Sequence, residues 1–151
     1  KAVGVFVNEE LSVIKLLAEL DIIDIIQLHG DENSDYIMNV KKLGKPVIKA
    51  VRVADTLSAA DENADFVLFD KHGENAYGGL GESFDWELLR NYSSPYFLAG
   101  GVNIQNLSEA LALNPYAIDI SSGVEENGVK SKRLIEQAVK IVRNDFKEDL
   151  S

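Results

Sequence analysis

The stretch 96–124 opens with Tyr96-Phe97-Leu98-Ala99-Gly100-Gly101 and closes with Ala117-Ile118-Asp119-Ile120-Ser121-Ser122-Gly123-Val124. Each end is a short, continuous apolar run finished by small residues, the pattern of a strand buried on both faces in a parallel sheet. The pattern recurs upstream in Val3-Gly4-Val5-Phe6-Val7, Ile25-Ile26-Gln27-Leu28-His29, Val47-Ile48-Lys49-Ala50-Val51 and Phe66-Val67-Leu68-Phe69-Asp70. Between the runs lie segments of helical spacing, clearest in Leu11, Ile14, Leu17 and Ala18 and in Leu134, Ala138, Ile141 and Val142. The order is βα, repeated. A period of roughly 20 to 30 residues suits a TIM barrel, in which about 250 residues are shared among eight βα units. The open doubly wound sheet is the alternative, but it wants a glycine-rich dinucleotide turn after its first strand, and none follows Val3–Val7. The expected fold is therefore α/β: an incomplete TIM (βα)8 barrel of about six βα units, in which 1–151 form a single portion of one domain.

Composition narrows the function. The 151 residues are 46% hydrophobic and 26% charged, the balance of an ordinary globular domain. No apolar run reaches the roughly 18 residues that span a bilayer, and KAVGVFVNEE is no signal peptide, so a soluble cytoplasmic protein is expected. There is no cysteine and only His29 and His72, which leaves thiolate and histidine-rich metal sites without ligands. A net charge of −10, with no basic stripe interleaved with aromatics, disfavours nucleic acid. It does not exclude a small anionic substrate, because backbone N–H groups hold phosphate without a side-chain cation. No Pro-rich linker divides the chain, and 147–151 reads as a frayed tail.

In a TIM barrel the residues that close each strand face the active site. Gly100-Gly101 and Ser121-Ser122-Gly123 place small residues and hydroxyls in two consecutive βα loops, where a phosphate can approach the backbone. Each alone would read as an ordinary tight turn; together they favour the phosphate. A bulky residue at Gly101 or Gly123 is expected to fill the space of the anion. Asp70 ends a strand after four apolar residues, which suits either a proton-transfer carboxylate or the start of a turn. The segment from Lys71 to Tyr77, followed by Gly78-Gly79-Leu80-Gly81, has the length and hinges of a lid, and equally of a flexible connector. Gln27 and His29, one residue apart on a strand, project to the same side and suit the orienting of a polar substrate, while His29 equally suits a satisfied histidine at a strand end. Lys49 and Arg52 fall on opposite faces, so one of them braces the structure. Asp85-Trp86 reads as an N-cap followed by a packed aromatic.

Taken in order, Val3-Gly4-Val5-Phe6-Val7-Asn8, Gln27-Leu28-His29-Gly30, Leu68-Phe69-Asp70, Gly78-Gly79-Leu80-Gly81 with Phe84-Asp85-Trp86, Ala99-Gly100-Gly101-Val102-Asn103 and Asp119-Ile120-Ser121-Ser122-Gly123-Val124-Glu125 resemble phosphoribosylanthranilate isomerase across nearly the whole chain. The resemblance implies an isomerase of tryptophan biosynthesis. Its reaction is the Amadori rearrangement of N-(5-phosphoribosyl)anthranilate on a (βα)8 barrel, without metal or organic cofactor. It implies that Asp70 is the general acid, that Gly100, Gly101, Ser121, Ser122 and Gly123 hold the phosphate, and that Gln27, His29, Gly78 and Gly79 meet the rest of the substrate.

The sequence also departs from the family pattern. The family opens with a strand ending Lys-Ile-Cys-Gly, whose cysteine is the base, and continues with an arginine loop that holds the anthranilate carboxylate. This sequence matches from the family's third strand, so the resemblance leads us to expect that those two βα units are absent and that the chain alone is inactive. Leu80 stands where the family usually has Ser or Thr, and Ser131 where Asp is common. Val3–Val7 and Ala117–Ile120 are then expected as unpaired apolar edges that invite self-association or an N-terminal fragment that completes the barrel. Two alternatives stay open. One is an inactive phosphate-binding barrel fragment, and the other is a different phosphate-binding barrel enzyme of amino-acid biosynthesis.

Overall fold

The computed structural model describes residues 1–54, 56–57, 63–71 and 84–148, the side chains of 145–148 excepted. The chain divides into two compact units, Lys1–Arg52 with Ser58–Leu68, and Val53–Leu57 with Phe69–Ser151.

The first unit carries β1 (Val3–Phe6), α1 (Leu11–Glu19), β2 (Ile25–Leu28), α2 (Ser34–Lys41) and nearly all of β3 (Val47–Val53). β1 pairs parallel with β2, Val5 opposite Gln27, and β2 pairs parallel with β3, Gln27 opposite Ile48. Helix α1 buries Ile14 and Ala18 at i and i+4, the stripe its spacing predicts. It stops in a Schellman turn: Asp21 takes a φ of 52°, Ile22 N donates to Leu17 O at 3.1 Å and Asp21 N to Ala18 O at 3.2 Å. That turn sends the chain straight into β2. Helix α2 starts where Asn33 caps Tyr36 N at 2.9 Å, and it buries Ile37 and Val40. Phe6, Ile14, Ile23, Ile26, Leu28, Ile37, Val40 and Val47 form one apolar cluster.

The second unit holds the end of β4 (Phe66–Lys71), a 3₁₀ helix (Trp86–Leu89), β5 (Tyr96–Leu98), α3 (Leu107–Ala112), β6 (Ala117–Ile118), a hairpin of β7 (Glu125–Glu126) and β8 (Val129–Lys130), and α4 (Lys132–Glu148). β5 and β6 pair parallel, and Ala99 N donates to Phe69 O at 2.8 Å, which fastens the end of β5 to β4. Phe69, Tyr92 and Tyr96 meet edge to face with ring centroids 5.0 to 5.7 Å apart. Burial raises the Tyr96 phenol, and its hydroxyl donates to Leu113 O at 3.1 Å.

The strand order is β1-β2-β3-β4-β5-β6, the order of the sequence. A doubly wound sheet reverses its order partway, whereas barrel strands follow one another. All six expected strands are present, with ends shifted by one or two residues: β3 runs on to Val53, and at β6 Asp119 and Ile120 already belong to the loop. Burial on both faces holds for β2, β3 and β4 and fails at β1, where Val3 and Val5 are exposed. β1 stands at one end of the strand order, so among the described residues only β2 flanks it. The β7–β8 hairpin has no counterpart in the apolar pattern, because its two-residue strands are largely exposed; its signal is Asn127-Gly128, both with positive φ. No helix among the described residues is long and apolar enough to cross a membrane.

Candidate functional site

Asp70 is the penultimate residue of β4 and is only 6% exposed. Its Oδ1 accepts the Lys71 backbone N–H at 2.8 Å. Against it lies the loop that follows β5. Gly100 has a φ of +76°, and a Cβ built on it would stand 2.6 Å from Lys71 N and 2.8 Å from Asp70 Oδ1. Glycine is needed here for both conformation and space. Gly101 also has positive φ, 74°. Its carbonyl accepts two side-chain amides, Asn103 Nδ2 at 3.1 Å and Asn106 Nδ2 at 3.0 Å, while Asn106 Oδ1 accepts Asn103 N at 2.8 Å. Two asparagines thus lock the glycine loop from behind. Asn103 closes one of the motifs quoted from the sequence, whereas Asn106 did not stand out, although its i+3 spacing from Asn103 was a usable sign.

The loop after β6 rests on this one. Gly123 bridges to Asn103, and a Cβ on Gly123 would fall 2.0 Å from Val102 O. The expectation that a side chain at Gly123 would chiefly occupy the anion's space is therefore corrected, because it would first strike the neighbouring backbone. Between the loops opens a cavity of about 360 Å³, lined by Gly101, Asn103, Gln105, Ser122, Gly123 and Glu125 among others. Of the phosphate candidates, Gly101, Ser122 and Gly123 line it, and Gly100 and Ser121 do not. Glu125 at its wall was not anticipated. Nor was Lys130, whose Nζ lies 2.6 Å from Glu125 Oε1 and 2.9 Å from Ser121 O. Ser131 caps α4 through Oγ, which accepts Leu134 N at 3.4 Å and also bonds Glu126.

The first unit, described by itself, carries a polar cluster along β2 and β3 and the loops beside them. Gln27 is buried, and its Nε2 lies 3.0 Å from His29 Nδ1, so the two do share a side of β2 as their spacing predicts. With the amide donating, the imidazole proton sits on Nε2. Lys49, not Arg52, is the buried brace. Its Nζ donates to Gly30 O at 2.7 Å and to Glu32 Oε2 at 3.0 Å. The Glu32 side chain is 2% exposed, and it also accepts Asn8 N at 2.8 Å and Gly30 N at 3.0 Å. Arg52 instead reaches Asp31 Oδ1 at 3.2 Å near the surface. Glu32 escaped the sequence reading because Asp31-Glu32 reads as a solvated loop.

Gly78, Gly79, Leu80 and the lid candidate beyond Lys71 lie outside the described residues. Among the described residues no group of three or more His, Asp or Glu is placed to hold a metal ion.

Residues 1–141 match the family model described as N-(5'phosphoribosyl)anthranilate (PRA) isomerase. The chain is similar to the N-(5'-phosphoribosyl)anthranilate isomerase of Endomicrobium trichonymphae, 50% identical over 95% of this chain and 73% of that protein. It is 41% identical to that of Caldanaerobacter subterraneus subsp. tengcongensis over 95% of this chain and 72% of the relative. Among solved structures it resembles phosphoribosyl anthranilate isomerase from Thermus thermophilus, with a TM-score of 0.80, 33% identity, and coverage of 94% of this chain and 72% of the other. A further solved isomerase, in complex with reduced 1-(o-carboxyphenylamino)-1-deoxyribulose 5-phosphate, matches with a TM-score of 0.72 at 30% identity, covering 94% of this chain and 71% of that one.

Proposed function

The chain belongs to the N-(5'-phosphoribosyl)anthranilate isomerase family, and on that premise we propose that its described residues supply the acid and the phosphate grip for the Amadori rearrangement of N-(5-phosphoribosyl)anthranilate, a step of tryptophan biosynthesis. The observation that carries this reading is the convergence of Asp70, Gly100 and Gly101 with the Ser121–Gly123 loop in one unit of the fold. Asp70 protonates the furanose ring oxygen. The C1′–O bond breaks as the anilino nitrogen donates its lone pair, which leaves an open-chain Schiff base. A base then removes the C2′ proton to give the enol, and tautomerisation gives the ketose. The 5-phosphate sits in the cavity between the Gly100-Gly101 and Ser121–Gly123 loops. Gln27, His29, Gly78 and Gly79 are assigned to the rest of the substrate by resemblance alone.

The six sequential strands correspond to six βα units of a (βα)8 barrel. The base is a cysteine in the family, and this chain has none. The 151-residue chain by itself therefore gives no turnover, and the reaction needs a cysteine-bearing segment that pairs with an edge such as β1, whose Val3 and Val5 are exposed. The test is turnover of N-(5-phosphoribosyl)anthranilate, followed by its fluorescence, with the chain alone and with the chain joined to the cysteine-bearing N-terminal segment of an active relative. Silence from the first and turnover from the second support the reading. A folded joined protein without turnover overturns it.

A further inference from the structure

The β7–β8 hairpin turns through Asn127-Gly128 and sets Glu125 opposite Lys130. Lys130 Nζ is spent on three acceptors: Glu125 Oε1 at 2.6 Å, Ser121 O at 2.9 Å and Ser121 Oγ at 3.2 Å. An ammonium has three N–H donors, so the set is complete. The hairpin is itself fixed, because Ser131 N donates to Val124 O at 2.8 Å, which returns the chain to the loop it left. Glu125 lines the cavity between the two glycine-bearing loops. A carboxylate on the wall of a cavity that receives a dianion opposes binding unless its charge is cancelled close by.

We propose that Lys130 is a positioning residue of the phosphate site: its ammonium cancels the charge of Glu125 at the cavity wall and holds Ser121, the chain neighbour of the lining residue Ser122. The proposal rests on the assignment of the two loops to the phosphate. It differs from a direct contact in a measurable way. If Lys130 worked by touching the anion, removing Glu125 would leave its loss uncorrected. If it works by neutralising Glu125, removing that carboxylate as well restores much of the affinity.

The experiment is calorimetric titration of the 151-residue chain with reduced 1-(o-carboxyphenylamino)-1-deoxyribulose 5-phosphate and with its dephosphorylated counterpart, at low ionic strength where charge effects are largest. Lys130→Met is expected to weaken the phosphorylated ligand about tenfold, the scale of one or two lost charge-assisted bonds, and to leave the dephosphorylated ligand unchanged. Lys130→Arg retains most of the affinity. The double variant Lys130→Met with Glu125→Gln recovers much of the loss, and Glu125→Gln alone binds at least as tightly as wild type. The last measurement keeps the test decisive if Lys130→Met folds poorly. Unchanged affinity in Lys130→Met, an equal loss for both ligands, a double variant as weak as the single one, or weakened binding by Glu125→Gln overturns the proposal. A wild-type chain that does not distinguish the two ligands removes the phosphate assignment, and this proposal with it.

Discussion

Gly100 lies so close to Asp70 that a Cβ at position 100 would stand 2.8 Å from the Asp70 carboxylate oxygen. The same Cβ would be 2.6 Å from Lys71 N, and the residue's φ of +76° already penalises any L side chain. Gly100→Ala should therefore destabilise the protein by about 2 kcal/mol or more and displace the carboxylate. Urea unfolding checks it, and a midpoint equal to wild type contradicts it.

Asp70→Asn keeps the shape of the side chain and an oxygen for the Lys71 N–H, but it removes the proton to be donated. In the chain joined to a cysteine-bearing segment, kcat should fall by about 10² to 10⁴ while affinity for the reduced product analogue stays nearly intact. Retention of more than half the activity would remove Asp70 from the acid role.

The parts of this arrangement that were legible in the sequence share one trait: their signal is local. Six apolar runs give six strands, and the contact of Gly100 with Asp70 joins residues that stand at or just past the ends of two of those runs. Asp85 caps Glu87 N at 3.0 Å and Trp86 is buried, as their adjacency suggests. What stayed hidden depends on residues far apart in the chain. Glu32 meets Lys49 across 17 positions and Asn8 across 24, and no short pattern records that. Lys130 becomes informative only once the hairpin folds it back on Ser121. The role of Gly123 changed for the same reason, since its neighbour is Val102 rather than open space.

Among the described residues, Glu32 and Lys49 form a deeply buried ion pair. With the Glu32 side chain 2% and the Lys49 side chain 10% exposed, Glu32→Ala leaves an ammonium almost without solvent and frees the N–H groups of Asn8 and Gly30. A loss of about 3 to 5 kcal/mol is expected. Glu32→Gln, which retains an acceptor, should cost less. Thermal unfolding of the two variants decides, and equal losses would show that the charge pair is not the source.

Asp65 provides a pH signature. Burial pushes its carboxyl up, but the Lys41 ammonium at 2.9 Å and the Val47 N–H at 2.8 Å outweigh burial and hold it below its ordinary value of 3.8. A depressed folded-state pKa contributes stability that is fully present above the unfolded value and is lost as pH falls through the folded one. Asp65→Asn should therefore be less stable than wild type near neutrality, and the difference should shrink as pH drops below 3.8. A gap that stays constant into the acid range would rule out this linkage.

The most direct measurement is the binding of reduced 1-(o-carboxyphenylamino)-1-deoxyribulose 5-phosphate to the wild-type chain, with inorganic phosphate as competitor. Saturable binding at one site, weakened by phosphate and abolished by a bulky substitution at Gly101, is the predicted result. No binding by the folded chain, or binding indifferent to phosphate, would contradict the assignment of the two glycine-bearing loops and of the chemistry built on them.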